Sequence, residues 1–345
     1  MQVNTTNEDR PAPAVAGPAP RYRNRRAALT LAVLGPVVAE LALGSTPLHL
    51  AFLLLLWLPI YGAGVLLIRE AVVRAGGGWP SILLLGVAYE LVEDGIGLQA
   101  LSSPHLYHAA DWGPRLLGLN TTYWELNVAY HVVFSVAIPI VLVELLFPAG
   151  RGRPYLGRLG LATTGGLAVL GVAILRLTVP LTQDPGYTAP AAVIAGCVVA
   201  VAVIAVVALR VLPRRAARPL GEEQVPSLTA LWLFGASATF AFMTLLYVFT
   251  GATRPAVVHG TWVLVPMGAA AVIAAGVAWL VRRWSASARW GDLQLLWLAG
   301  GALIAHTAVG AIGIAQTAFD RAGLAVLGLL TIWLLVALTR RLARR

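Results

Sequence analysis

Three acids lie close together in PSILLLGVAYELVEDGIGLQAL, residues 80–101, where almost everything else is apolar. Glu90, Glu93 and Asp94 are three and four residues apart, which places all three on one face of a helix. Gly86 and Gly97 extend that face and let a neighbouring backbone come close. Carboxylates grouped in this way can bind a cation, pass protons, or act as general acid and base. Magnitudes decide against a position facing lipid. Each acid at the centre of a spanning helix costs about 2.5–3.5 kcal/mol, so three cost about 8–10, while the ten Leu, Ile and Val residues of the segment return only about 3–6. The acids must be paired, protonated or open to a polar cavity.

Few groups are available to meet them. Inside other apolar stretches stand Glu40, His131, Glu144, Arg176 and His306, with His49, Glu125 and Asp292 at segment ends and Glu70 just beyond one. At a rise of 1.5 Å per residue from each segment's midpoint, Glu93 and Asp94 lie ~4–5 Å toward one side, His306 ~6 Å, His131 and Glu40 ~7 Å and Arg176 ~9 Å. One layer thus collects groups from five segments. Asn127, His131, Ser135 and Pro139 recur every four residues and form a polar stripe that suits the facing wall.

These spacings predict a polar cavity entered from the outer side. Glu90, Glu93, Asp94 and His131 would be its catalytic residues in an enzyme or its ion- and proton-binding residues in a transporter, with Asn127, Ser135, Arg176, His306 and Glu40 lining it. A structural tie between helices is the competing reading for any one of them. A lone His306 among small residues reads as a satisfied interhelical hydrogen bond. Glu70 and Glu144, beside Arg69 and Arg151, read as surface pairs or snorkelling side chains.

A second constellation lies outside the apolar runs. His105, His108 and Asp111 form an HxxHxxD spacing, which on a helix would present three metal ligands along one edge, although Pro104 and the nearby aromatics suit an ordinary loop. GGGWP at residues 76–80 has neither a preceding strand nor the lysine of a phosphate loop, and reads as a turn in which Trp79 anchors at an interface and Pro80 opens a helix. No GxSxG or HExxH occurs, and no dinucleotide fingerprint stands in a strand context.

The elements that must position these residues are transmembrane helices. Of 345 residues 59% are hydrophobic and 12% charged, whereas soluble domains carry about 25% charged residues. Mean hydropathy is +0.79. Apolar runs long enough to cross ~30 Å of hydrocarbon fall at 27–44, 49–68, 80–101, 125–147, 160–180, 189–209, 227–249, 260–281, 291–313 and 322–339, the first and last being short. The fold class predicted is an all-α polytopic bundle of about ten spans. Pro36, Pro59, Pro139 and Pro266 can break or kink their spans, and LPIYGAG, residues 58–64, can form a discontinuous helix.

All 25 basic residues are arginine. Apart from Arg176, which lies inside a span, only Arg115, Arg254 and Arg321 fall in one set of alternate connectors. Every other arginine falls in the opposite set, so the positive-inside rule places both termini in the cytoplasm and the protein in the plasma membrane. The net charge of +10 therefore faces anionic lipid and not nucleic acid. Residues 1–26, rich in Pro, Ala, Asn and Arg, read as a disordered cytoplasmic tail, 27–339 as the membrane domain and 340–345 as a basic tail. The connector 102–124 carries Tyr107, Trp112, Tyr123 and Trp124 and suits an interfacial helix. A lone Cys197 excludes an intramolecular disulfide and a multi-cysteine metal site.

Glu93–Asp94 followed by His131 faintly resembles bacterial relatives of the CAAX prenyl endopeptidase, which carry an EExxxR motif on one membrane helix and histidines on later ones. The second acid here is Asp, no Arg follows at the motif spacing, and Asn127 stands where that family has phenylalanine before its first histidine. The resemblance covers residues 86–136 and would imply Glu93 as base for a metal-bound water, with His131 as a ligand of a divalent metal. Two active classes follow: a transporter for a cation- or proton-coupled solute, and an intramembrane enzyme acting as a metal-dependent hydrolase or a lipid-linked transferase. A non-catalytic subunit of a membrane complex is the third.

Overall fold

The computed structural model of the chain describes residues 24–212, 221–248, 258 and 260–344. Helix α1 is Arg25–Pro36, continued by a π-helical turn at Val37–Leu41. Next come α2 (Leu48–Ala75) and α3 (Trp79–Glu90), the latter continued by a π turn at Leu91–Gly97. Helices α4 (Thr121–Leu146), α5 (Arg158–Gln183), α6 (Ala191–Val211), α7 (Leu228–Tyr247), α8 (Gly260–Ser285), α9 (Asp292–Ile314) and α10 (Ala318–Ala343) follow.

Eight of these, α2 and α4 to α10, are long and apolar enough to cross a bilayer. The predicted first span is helical over 12 residues plus a five-residue π turn. The predicted third is α3, which carries the acids.

Several boundaries differ from those the hydropathy predicts. Helix α2 runs past residue 68 to Ala75, where Gly76 at φ 71° supplies the left-handed C-cap. Arg69 and Glu70 are therefore helical. Helix α10 is not short: it spans 26 residues, with Thr317 accepting the Asp320 N–H as N-cap, and it takes in most of the expected basic tail. Arg25 and Arg26 already belong to α1, and the rest of the predicted N-terminal tail lies outside the described residues.

The helices form two joined groups. In the first, α2 packs on α1 and α5, and α3 packs on α4, α5 and α6 around Leu31, Ile60, Tyr61, Leu66, Leu101 and Leu106. In the second, α9 packs closely on α7, with α10 alongside, and docks on α4 through Phe134, Leu142, Leu296 and Leu303.

Prolines mark where helical register changes. Pro36 has no N–H for the carbonyl of Ala32, and the chain passes into the wider turn, with Ala42 N–H bonding Val37 O. A Cβ on Gly62 of α2 would collide with that Ala32 oxygen, so the approach of α1 and α2 requires glycine there. Pro59 lies inside a second π turn, Leu58–Gly62. Pro139 likewise cannot serve Ser135 O, and the turn before it, His131–Ala137, is π-helical, with Ile138 N–H bonding Val133 O. In α3 the widening occurs at Gly95 and Gly97 without proline. Gly86 packs against Val132 and Gly97 against Leu175, so the small-residue face predicted for α3 meets two different helices.

The connectors sort to two ends. At the arginine-rich end Asn24 N–H bonds Tyr155 O, Ser81 Oγ donates to Ala208 O, and Arg151 pairs with Asp292 at 2.9 Å. At the other end the connector between α3 and α4 folds back over the bundle, and no interfacial helix forms there. Leu106–Asp111 is 3₁₀-helical with Tyr107 and His108 at positive φ, and β1 (Arg115–Leu116) pairs antiparallel with β2 (Leu119–Asn120). Asn120 Nδ2 donates to Ala100 O and Ser103 O, each at 2.8 Å, and Ser103 Oγ donates to Asp184 beyond α5.

Candidate functional site

Four π turns carry the groups that meet inside the first bundle. Val37–Leu41 supplies Glu40, Leu58–Gly62 supplies Tyr61, Leu91–Gly97 supplies Glu93 and Asp94, and His131–Ala137 supplies His131 and Ser135. Glu90 is the last α-helical residue before its turn. A π turn splays its side chains and is frequent at functional sites. Glu90, Glu93, Asp94 and His131 are at most 3% exposed.

His131 is the hub. Its Nδ1 lies 2.9 Å from Ser135 Oγ and 3.1 Å from Glu93 Oε2. Its Nε2 faces Glu90 Oε2 at 3.4 Å and Asp94 Oδ2 at 3.6 Å. Tyr61, Tyr89 and Tyr130 surround the imidazole with ring centroids 5.2–6.1 Å away. The Tyr61 hydroxyl is 2.6 Å from Glu40 Oε1 and 2.6 Å from Glu93 Oε1. A phenol has one hydrogen to donate, so one of these contacts requires a hydrogen on a carboxyl oxygen. Glu40 Oε2 also accepts from Thr46 at 2.8 Å and Ser45 at 3.0 Å, and Tyr123 donates to Asp94 Oδ1 at 2.8 Å. Among the described residues Asp94 Oδ2 and both oxygens of Glu90 are buried without a hydrogen-bond partner, and Glu93 Oε2 has only its ion-pair contact with His131.

The structure brings Glu40, Glu90, Glu93, Asp94, His131 and Ser135 together and leaves other predicted members apart. Asn127 donates to Tyr123 O one turn back on its own helix. Arg176, expected as a counter-charge, reaches away to Tyr187 O at 2.6 Å, because α5 turns that face toward the loop before α6. His306 is buried and stacks on Phe134 at 4.1 Å and Tyr130 at 5.6 Å, one ring removed from His131. Neither of its nitrogens has a hydrogen-bond partner, so the satisfied interhelical bond expected of it is not formed.

His105, His108 and Asp111 do not line one helix edge, since the left-handed Tyr107 and His108 break the turn. The His108 and Asp111 side chains are 86% and 79% exposed and 4.0 Å apart. Glu70 and Glu144 are not surface pairs: Arg69 and Glu70 are fully buried, and Arg69 lies 3.5 Å from Glu144. The extension of α2 to Ala75 carries them into the bundle.

Aromatic side chains cover the cluster on the side where the sequence predicts an entrance. Trp112 and Tyr123, read from sequence as interfacial, are buried with centroids 5.3 Å apart, Tyr107 stacks on Tyr123 at 6.2 Å, and Tyr247 closes on Trp112 at 6.0 Å. Burial pushes the Tyr107 phenol well above its ordinary pKa and keeps it neutral. Sequence reasoning missed Tyr61 and Tyr89 altogether. Their signal was a tyrosine placed mid-run among apolar residues, where its hydroxyl needs a polar partner.

Residues 29–344 match an uncharacterized membrane protein family, and the chain belongs to that family as a multi-pass helical membrane protein. No curated protein and no solved structure matches it.

Proposed function

We propose that this member of the family is a carrier whose transport is coupled to a cation exchanged at the acid–histidine cluster. One observation carries the reading. Glu90, Glu93 and Asp94 converge on a single imidazole, Glu40 joins Glu93 through the Tyr61 hydroxyl, and among the described residues no arginine reaches them. Three carboxyls buried against one histidine, with a fourth linked to them through Tyr61, cannot all be ionised without added positive charge. A mobile cation, a proton or a metal ion, supplies it. The π turns in α1 to α4 favour transport, because irregular backbone inside a membrane is found where helices line a cavity or rearrange around a site.

The arginine-rich end then faces the cytoplasm, with both termini there and the protein in a plasma membrane, and the cluster lies in the outer half beneath the connector between α3 and α4. An intramembrane enzyme is the second reading, favoured by the restriction of the cluster to the first four helices. In its hydrolase form Glu93 would act as base, yet Glu93 sits at the Nδ1 edge of His131, away from the edge that Glu90 and Asp94 face.

The test is purified protein in liposomes under an imposed pH gradient or diffusion potential, with proton and metal flux followed by fluorescent reporters. Flux that disappears in both Glu93→Gln and His131→Gln, with each variant still folded, supports the carrier. Full flux in both variants, or no cation movement by the wild type, sinks it.

A further inference from the structure

The charge deficit asks for a cation, and the two edges of His131 say where a metal ion would sit and of what kind. At Nδ1, Glu93 and Ser135 hold the ring in place, and a hydrogen on Nδ1 leaves the Nε2 lone pair free. Nε2 lies near Glu90 Oε2 and Asp94 Oδ2, two buried oxygens without hydrogen-bond partners among the described residues, and each of the three residues offers a ligand atom within 4.8 Å of those of the other two. The opposite oxygen of Asp94 is fixed by Tyr123 at 2.8 Å. An ion with bonds of ~2.1 Å in tetrahedral geometry separates its ligand atoms by ~3.4 Å. The observed separations from Nε2 are 3.4 and 3.6 Å.

We propose that Glu90, Asp94 and Nε2 of His131 bind a divalent first-row transition-metal ion, with Glu93, Ser135 and Tyr123 as positioning residues. This rests on the reading of the cluster as a cation-exchange site and names the cation. Imidazole beside two carboxylates suits zinc, iron(II), cobalt(II) or manganese(II), whereas sodium, magnesium and calcium prefer oxygen alone. Three protein ligands leave a fourth position open, as a site through which an ion enters and leaves requires.

Purified protein stripped with chelator is dialysed against cobalt(II) or zinc(II), and bound metal is counted per chain. The expected result is one ion per chain, with the intense visible absorption of four-coordinate cobalt. Glu90→Gln and Asp94→Asn should each weaken binding at least tenfold. A joint His105→Ala, His108→Ala variant should keep the stoichiometry, because it removes only imidazoles of the outer connector. Wild-type protein that takes up no metal overturns the proposal whether or not the variants fold, as does metal that survives Glu90→Gln and Asp94→Asn but leaves with the connector histidines. Proton flux by chelated, metal-free protein would preserve the broader carrier while this assignment falls; absence of both metal binding and cation flux removes the two together.

Discussion

Arg69, Glu70, Arg74 and Glu144 meet at one end of the bundle, while Glu40, Glu90, Glu93, Asp94 and His131 meet at the level of the π turns. In the first group Arg69 donates to Arg153 O and Gly150 O, each at 2.8 Å, and stacks 3.4 Å over Tyr155. Glu70 accepts from Tyr155 N at 2.6 Å, Leu156 N at 3.3 Å and Arg74 at 3.0 Å. Arginines answer the carboxylates, and backbone groups of the connector after α4 complete the shell. In the second group, among the described residues, the carboxyls outnumber their one basic partner, His131, and several of their oxygens have no hydrogen-bond partner. Removing one partner of a buried ion pair leaves an uncompensated charge, and the proposed cation would answer that need only in the second group.

The sharpest way to break this comparison is to remove one charge from each group. Arg69→Met removes the buried cation shared by Glu70 and Glu144, together with its bonds to Arg153 O and Gly150 O, and should destabilise the fold by about 3–5 kcal/mol, seen as a large fall in Tm in detergent. Glu90→Gln removes excess charge, so its Tm in chelator should equal or exceed that of the wild type. A greater loss from Glu90→Gln than from Arg69→Met would show that both groups are structural.

Tyr61→Phe sharpens the contrast from the functional side. It severs the link between Glu40 and Glu93 and should cut cation flux at least tenfold, while a stability loss of about 1–3 kcal/mol is the size expected for its two lost hydrogen bonds. Liposome flux and Tm on the same preparation check both halves. Gly62→Ala places a methyl group against the Ala32 carbonyl and should cost about 1–3 kcal/mol, because α1 and the turn Leu58–Gly62 are packed by backbone contact. The smallest effect belongs to the outer cover. Ser103→Ala removes one tie to Asp184 and should cost about 1 kcal/mol, with faster amide exchange in the connector between α3 and α4 and no change at the arginine-rich end.

Much of this was legible in the residues. Apolar runs locate the helices, because spanning segments must satisfy their backbone internally and cover it with hydrocarbon. The excess cost of three acids in one apolar run points to Glu90, Glu93 and Asp94 before any coordinates, and four-residue spacing leads to His131 and Ser135. What failed is instructive. Depth along a helix placed Arg176 in the same layer, but depth carries no rotation, and α5 turns that side chain away. Helix ends read from hydropathy stopped α2 at residue 68, since Arg69 and Glu70 look like a terminus when their partners in the next connector are not known. The register change within α3 could not be read at all. It falls where the chain packs against α6, with Cys197 so close that a Cβ on Gly95 would approach its sulfur to 2.8 Å.

The wide turns have one mechanical consequence. A helix that stores an extra residue in a bulge keeps both of its ends in phase wherever the bulge sits. Sliding it by one position trades a single i→i+5 bond for an i→i+4 bond and swings the passed side chain by about 100° around the axis. Acids on such a segment can be re-aimed from one neighbour to another while the clamped termini stay still, a ripple along the rod in place of a rocking of whole rods.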